Sequence, residues 1–146
     1  MWFNPIMKWL IASPLHALVS NNMLLISYTG KNSGRAYTIP VNYLRNGDKL
    51  YLTSFKDRVW WRNLRDGSPV SLLLKGKTIT AIPEVIEDPT RFSTLMVTYF
   101  QLAPKMARYY QVKLDDQGVP SPENLGALTK TMIGVVLTPD GDNDKL

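Results

Sequence analysis

The apolar and polar positions of this chain fall into stretches of two different periods. Residues 23–28, MLLISY, form a nearly continuous apolar run, the pattern of a buried strand. Residues 36–44 alternate, with Tyr37, Ile39, Val41 and Tyr43 on one face and Ala36, Thr38, Pro40 and Asn42 on the other. Pro40 has no N–H to give to a ladder, so it predicts an edge or a bulge there. Arg45-Asn46-Gly47-Asp48 predicts a hairpin, because Asn-Gly accepts the positive φ of a type I′ turn. Residues 49–54 then return as a third strand. Residues 70–75, a turn at Gly76 and residues 78–86 predict a second hairpin, and residues 132–138 a closing strand.

The remaining stretches read as helices and loops. Asn4-Pro5 and Ser13-Pro14 each pair a capping residue with a proline, which predicts short helices over residues 5–12 and 14–19. Residues 59–65 predict a short helix ended by Gly67 and Pro69. Asp88-Pro89 opens a helical region that runs towards Val112 and is interrupted at Pro104. A loop over 117–122, a short helix over 122–131 and a polar tail over 140–146 complete the chain. Six short strands joined mainly by hairpins predict a mainly β fold, a six-stranded antiparallel barrel with peripheral helices, rather than a parallel sheet.

Composition narrows the chemistry. The 146 residues suit one domain with a single core. The chain has no cysteine, which excludes disulfides, thiol catalysis and thiolate metal sites. Its one histidine, His16, lies in an apolar stretch; a multi-histidine metal site is not expected, and no metal site is predicted. An organic cofactor is then the economical source of reactivity. The excess of 17 Lys+Arg over 12 Asp+Glu, a net +5, favours anionic partners. Residues 1–20 are apolar but interrupted by Lys8 and two prolines, too broken to span a bilayer as one helix, and without a signal-peptide pattern. A cytoplasmic protein is expected. The first helix would pack on the barrel or a second copy, or touch a membrane surface or cover the substrate.

Two stretches suggest binding. In residues 29–35, TGKNSGR, two glycines allow close backbone approach, and Ser33, Lys31 and Arg35 stand ready for a phosphate; a solvated basic turn is the alternative. In residues 54–63, Lys56, Arg58 and Arg62 surround Trp60 and Trp61, a combination suited to a flat ring or to a core tryptophan pair. Glu84, Glu87 and Asp88 read as a solvated acidic cluster. Tyr99, Tyr109 and Tyr110 lie on the long helical region, where they either pack or present hydroxyls to a substrate oxygen.

Taken together, Leu24-Leu25, residues 29–35, Thr38-Ile39-Pro40-Val41-Asn42-Tyr43, Gly47-Asp48 and Trp60-Trp61-Arg62-Asn63-Leu64 resemble the deazaflavin-dependent nitroreductases, within the flavin/deazaflavin split-barrel oxidoreductases. The resemblance implies a split barrel, often a homodimer, that binds coenzyme F-420, with FMN used by relatives. It implies that Lys31, Asn32, Ser33, Gly34 and Arg35 hold the phosphate-bearing tail. The strand from Tyr37 through Thr38, Ile39, Pro40 and Val41 to Asn42 would line the ring. Thr53 and Ser54 would sit near the ribityl and phosphate, and Trp60, Trp61 and Asn63 near the ring's edge. Trp60, Tyr99, Tyr109 and Tyr110 would face a quinone, nitroaromatic or similar small-molecule acceptor. No side chain is expected to act as acid, base or nucleophile.

This sequence departs from the family pattern at Asn32, where a second basic residue is usual, and in a shorter loop at Phe55-Lys56-Asp57-Arg58. Both changes leave room for FMN, or for a tail path along Lys56 and Arg58. A flavin, haem or lipid carrier without turnover is the alternative on the same barrel. Nucleic-acid binding is not expected, because the aromatics are not arranged as a stacking face on a strand.

Overall fold

The computed structural model describes residues 23–140. The helices expected over 5–12 and 14–19, His16, and the tail beyond Asp140 lie outside the described residues. Seven strands are present: β1 (Met23–Thr29), β2 (Ala36–Asn42), β3 (Leu44–Asn46), β4 (Lys49–Phe55), β5 (Val70–Leu74), β6 (Lys77–Ile86) and β7 (Met132–Pro139). They form one antiparallel sheet in the order β2-β1-β5-β6-β7-β4-β3.

The count corrects the expected six, and the reason defines the architecture. The strand expected over 36–44 breaks at Tyr43 into β2 and β3. Asn42 pairs with Met23 of β1, whereas Leu44 pairs with Tyr51 of β4. The two ends of the sheet are therefore two halves of one bent strand. Because β2 pairs with β1 at one end of the sheet and β3, the next strand, pairs with β4 at the other, the sheet curls round on itself and stays open where the halves part. Pro40 lies in β2, an edge strand among the described residues, as its missing N–H leads one to expect. The first hairpin also differs in detail. Asn46 pairs with Lys49, so Gly47 (φ 62°) and Asp48 are the central residues, and only Gly47 is left-handed, as in a type II′ turn.

Alternation along the strands divides the apolar side chains between two cores. Leu24, Ile26, Leu50, Leu52, Leu72, Ile133, Val135 and Leu137 fill the barrel interior with Trp61 and Leu64. Each fully buried aliphatic side chain contributes about 1.5–3 kcal/mol. The exposed pairs Arg65–Glu87 and Arg91–Glu84 add at most about 1 kcal/mol each, so the interior sets the fold.

The second core lies outside the barrel, under helices α1 (Pro89–Leu102) and α2 (Pro122–Thr131). The Asp88 carboxylate caps α1 by accepting from Arg91 N at 2.9 Å, and the Ser121 hydroxyl caps α2 by accepting from Asn124 N. Phe92, Leu95, Met96, Tyr99 and Phe100 bury one face of α1. Close approach of α1 to β7 depends on Gly134: a Cβ there would stand 3.2 Å from Leu95 Cδ1. After Leu102 the chain turns at Pro104 into a 3-10 helix, Pro104–Tyr110, which brings Tyr109 and Tyr110 back over the barrel's open side.

Candidate functional site

The opening between β2 and β4 is a cavity of 960 Å³. One wall is Ile39, Pro40, Val41 and Asn42 of β2; the opposite wall is Thr53, Ser54 and Phe55 of β4. β2 pairs only with β1, and the β4–β3 ladder ends at Tyr51. Among the described residues, two strand edges thus face one space with backbone groups free to bind, apart from Pro40, which has no N–H, and Phe55 O, which already accepts from side chains. Such groups must find partners, which makes the slot receptive to a planar ligand with donors and acceptors on its rim.

The end of the slot is closed by the 3-10 helix Trp60–Leu64. Trp60 lines the cavity, and its indole N–H donates to Ser54 Oγ at 3.1 Å, while Ser54 Oγ donates to Phe55 O. Trp61, next in sequence, turns the other way. It is buried in the barrel interior, donates its N–H to Phe55 O and is stacked by Arg62 and Arg65. Of the tryptophan pair only Trp60 is at the cavity.

Tyr99, Tyr109 and Tyr110 form the cover. Tyr110 Oη lies 2.8 Å from Thr53 Oγ1 and donates to Tyr99 Oη at 3.4 Å, a string of hydroxyls along the wall. Burial, and then the neighbouring Tyr110, push the Tyr99 hydroxyl far above its ordinary range, so it holds its proton. Arg58 brings a cation to the rim, with no carboxylate partner among the described residues. Phe55, Val59 and Tyr109 also line the cavity and are 53%, 66% and 75% exposed, an apolar lip. Met106, Gln111, Leu128, Thr131 and Met132 complete the lining. They come from two separate segments, and no local pattern in the sequence marks them.

The basic loop of residues 30–35 is placed differently. It does not line the cavity, and most of its donors are already used. Gly30 N donates to Arg35 O, Gly34 N to Gly30 O, and Arg35 N to Ser33 Oγ. Lys31 N donates to the side-chain oxygen of Asn63, and the Lys31 ammonium is paired with Asp66. That ammonium, helped by the Ser68 N–H, holds the Asp66 carboxyl down at about 2. Ser33 Oγ lies 3.2 Å from Tyr37 Oη, and Tyr37 stacks on Tyr28. A Cβ on Gly30 would come within 2.8 Å of both Ser33 Oγ and the Tyr37 ring, so the loop closes only with glycine there. Thr38 is likewise occupied, on Ser27 at 2.8 Å.

Asn63 joins the two sequence features. It accepts from Lys31 N and donates to the carbonyls of Val59 and Trp60, so the glycine loop and the tryptophan turn are one connected piece. Lys56 lies in the same piece, its carbonyl accepting from Arg62. Of the residues expected to hold a cofactor, the structure gathers Ile39, Pro40, Val41, Asn42, Thr53, Ser54, Arg58 and Trp60 at the cavity. All four residues expected to face an acceptor are there as well. Lys31–Arg35, Tyr37, Thr38, Lys56, Trp61 and Asn63 stand outside the lining.

No protein-family model and no curated protein matches the chain. Solved structures do. An FAD-binding protein from Mesorhizobium loti superposes with a TM-score of 0.54 at 14% identity, over 88% of this chain and 90% of that one. A protein from Clostridium acetobutylicum related to general stress protein 26, of the pyridoxinephosphate oxidase family, gives 0.52 at 15%, over 90% and 84%. At such identities the likeness is one of architecture: a mainly β, curled antiparallel sheet of the split-barrel kind. No helix among the described residues is long and apolar enough to cross a membrane.

Proposed function

We propose that this protein is a cofactor-dependent oxidoreductase that takes the ring of reduced coenzyme F-420 into the split and passes a hydride to a quinone, nitroaromatic or similar small acceptor. The observation that carries this reading is the pair of unpartnered strand edges facing each other across a 960 Å³ slot. A deazaflavin or flavin is flat and has alternating donors and acceptors along one edge, which fits backbone groups presented by residues 39–42. When bound, the cofactor supplies the hydride. The chain's own residues do the rest. β2 and β4 orient the ring, Trp60 closes one end, and Arg58 meets a phosphate on the tail. Tyr99 keeps its hydroxyl protonated, and Tyr110 sets a second hydroxyl beside it over the open face, where an acceptor oxygen would need a hydrogen-bond donor.

FMN is the second reading, and one observation favours it. The glycine loop spends most of its N–H groups and the Lys31 charge within the protein, which leaves too few donors and cations there for a long polyanionic tail, whereas a single phosphate can be met by Arg58 at the rim. The exposed lip of Phe55, Val59 and Tyr109 suggests a homodimer that covers it, to be checked by light scattering.

Titration of the cofactor-stripped protein with F-420 and FMN, followed by fluorescence, tests the function. Micromolar or tighter F-420 binding with acceptor reduction supports the first reading, and FMN preference the second. Binding without any turnover makes the protein a carrier, and binding of neither cofactor overturns the proposal.

A further inference from the structure

A second cavity, of 610 Å³, adjoins the split and shares Asn42, Tyr99, Met106, Tyr109 and Tyr110 with it, while Tyr43, Leu44, Arg45, Lys75 and Ala103 line the second cavity alone. We propose that it is a separate binding site for a small organic anion with a flat apolar body, and that Arg45 and Lys75 hold the charged end. The walls are Leu44, Ala103, Met106 and Tyr109, an apolar and aromatic surface suited to the body of such a ligand. The charge at the site is of one sign. Arg45 comes from the first hairpin and Lys75 from the turn of the second, and neither has a carboxylate partner among the described residues. Arg45 uses Nε on Gly47 O at 3.3 Å, which leaves its terminal amino groups for a carboxylate or sulfonate.

The backbone adds an independent argument. Lys75 and Gly76 are the central residues of the β5–β6 turn, at φ 51° and 80°, as a type I′ turn requires. Asparagine or glycine is the favoured residue at the first of these positions, and lysine is strained there. Lys75 and Gln111 are the two non-glycine residues with positive φ among those described, and each lines a cavity. Gln111 ends a 3-10 helix, with its N–H on Ala107 O and Arg108 O, which accounts for its conformation. At position 75 the turn itself sets the backbone, and lysine in place of asparagine or glycine there brings a cation to the cavity.

Calorimetric titration of the full chain with 2-naphthoate and with uncharged 2-naphthamide tests the site. The site should bind naphthoate about tenfold more tightly than the amide, as charge-assisted hydrogen bonds allow. The preference should shrink in high salt. The double variant Arg45→Gln/Lys75→Asn should lose the preference and melt no lower than the parent, since asparagine relieves the turn. Arg58→Gln should keep it. Equal affinity for the two probes, binding of neither, or a preference that survives the double variant overturns the proposal. So does a preference lost in Arg58→Gln alone, which would place the anion in the split. No cofactor is needed for the readout, so failure of the proposed redox function leaves this result interpretable.

Discussion

The glycine loop of residues 30–35 and the β2 edge over residues 39–42 lie a few residues apart in sequence and stand in opposite conditions. In the loop, four backbone N–H groups, the Ser33 hydroxyl and the Lys31 charge are satisfied by the protein itself. Along β2, one side of the strand has no strand partner among the described residues, and residues 39–42 line a cavity. The loop looks like a phosphate cradle in sequence because it is rich in donors. A donor binds a ligand only when the fold leaves it unused. Hydrogen-bond accounting therefore moves the weight of the site from the conspicuous loop to an ordinary alternating strand with a proline in it.

The largest expected effect separates the adjacent tryptophans. Trp61→Ala should cost about 3–5 kcal/mol of stability, because it empties the barrel interior. Trp60→Ala should leave the fold largely intact and weaken ring binding instead. Paired denaturant melts and cofactor titrations check this, and equal destabilisation by both would break the distinction between core and cavity. Next in size is Gly30→Ala, which forces a Cβ against Ser33 and Tyr37 and should cost about 1–3 kcal/mol. If the loop is a strut, cofactor affinity in this variant should change by much less than its stability does. A loss of affinity that outstrips the loss of stability would make the loop a ligand contact after all.

A smaller effect sets the cations of the two regions against each other. Arg58→Gln should weaken binding of a phosphate-bearing cofactor about tenfold. Lys31→Gln should do less, because the Lys31 charge is already matched by Asp66. The reverse ranking in fluorescence titrations would return the tail to the glycine loop.

The smallest effect is electrostatic. Asp66 titrates near 2 in the folded chain against an ordinary 3.8. Its depressed value means that the unfolded chain takes up the proton first as pH falls. The stabilisation is thus complete above about pH 4 and fades towards pH 2. Asp66→Asn should melt below the parent at neutral pH, and the gap should close over that window in melts run as a function of pH. Since both partners are exposed, added salt should narrow the gap at every pH.

Much of the fold was legible in the chain because its signals are local. Alternation in residues 36–44 shows which side chains face the interior: Ile39, Val41 and Tyr43 pack there in the structure. Asp88-Pro89 marks a helix start by capping chemistry, and the cap forms; the short helix expected over residues 122–131 is present as well. The hairpins at Gly47 and Gly76 follow from the need for positive φ. Composition alone, with no cysteine and one histidine, excludes thiol chemistry and a multi-histidine metal site.

Other features required the tertiary structure. The break at Tyr43 depends on which neighbour each half of the strand pairs with, and a pairing partner is a long-range property. Whether Trp60 or Trp61 faces the cavity depends on the rotation of one turn of 3-10 helix against the barrel, which the repeated residue type hides. The use of Lys31 by Asn63 and Asp66, more than 30 residues away, decides whether a basic loop is free to bind. The pairing of Arg45 with Lys75 in one cavity likewise joins two hairpins that are separate in the chain. Local sequence determines what a residue is able to donate or accept; only the closed barrel determines which of those groups are left unspent.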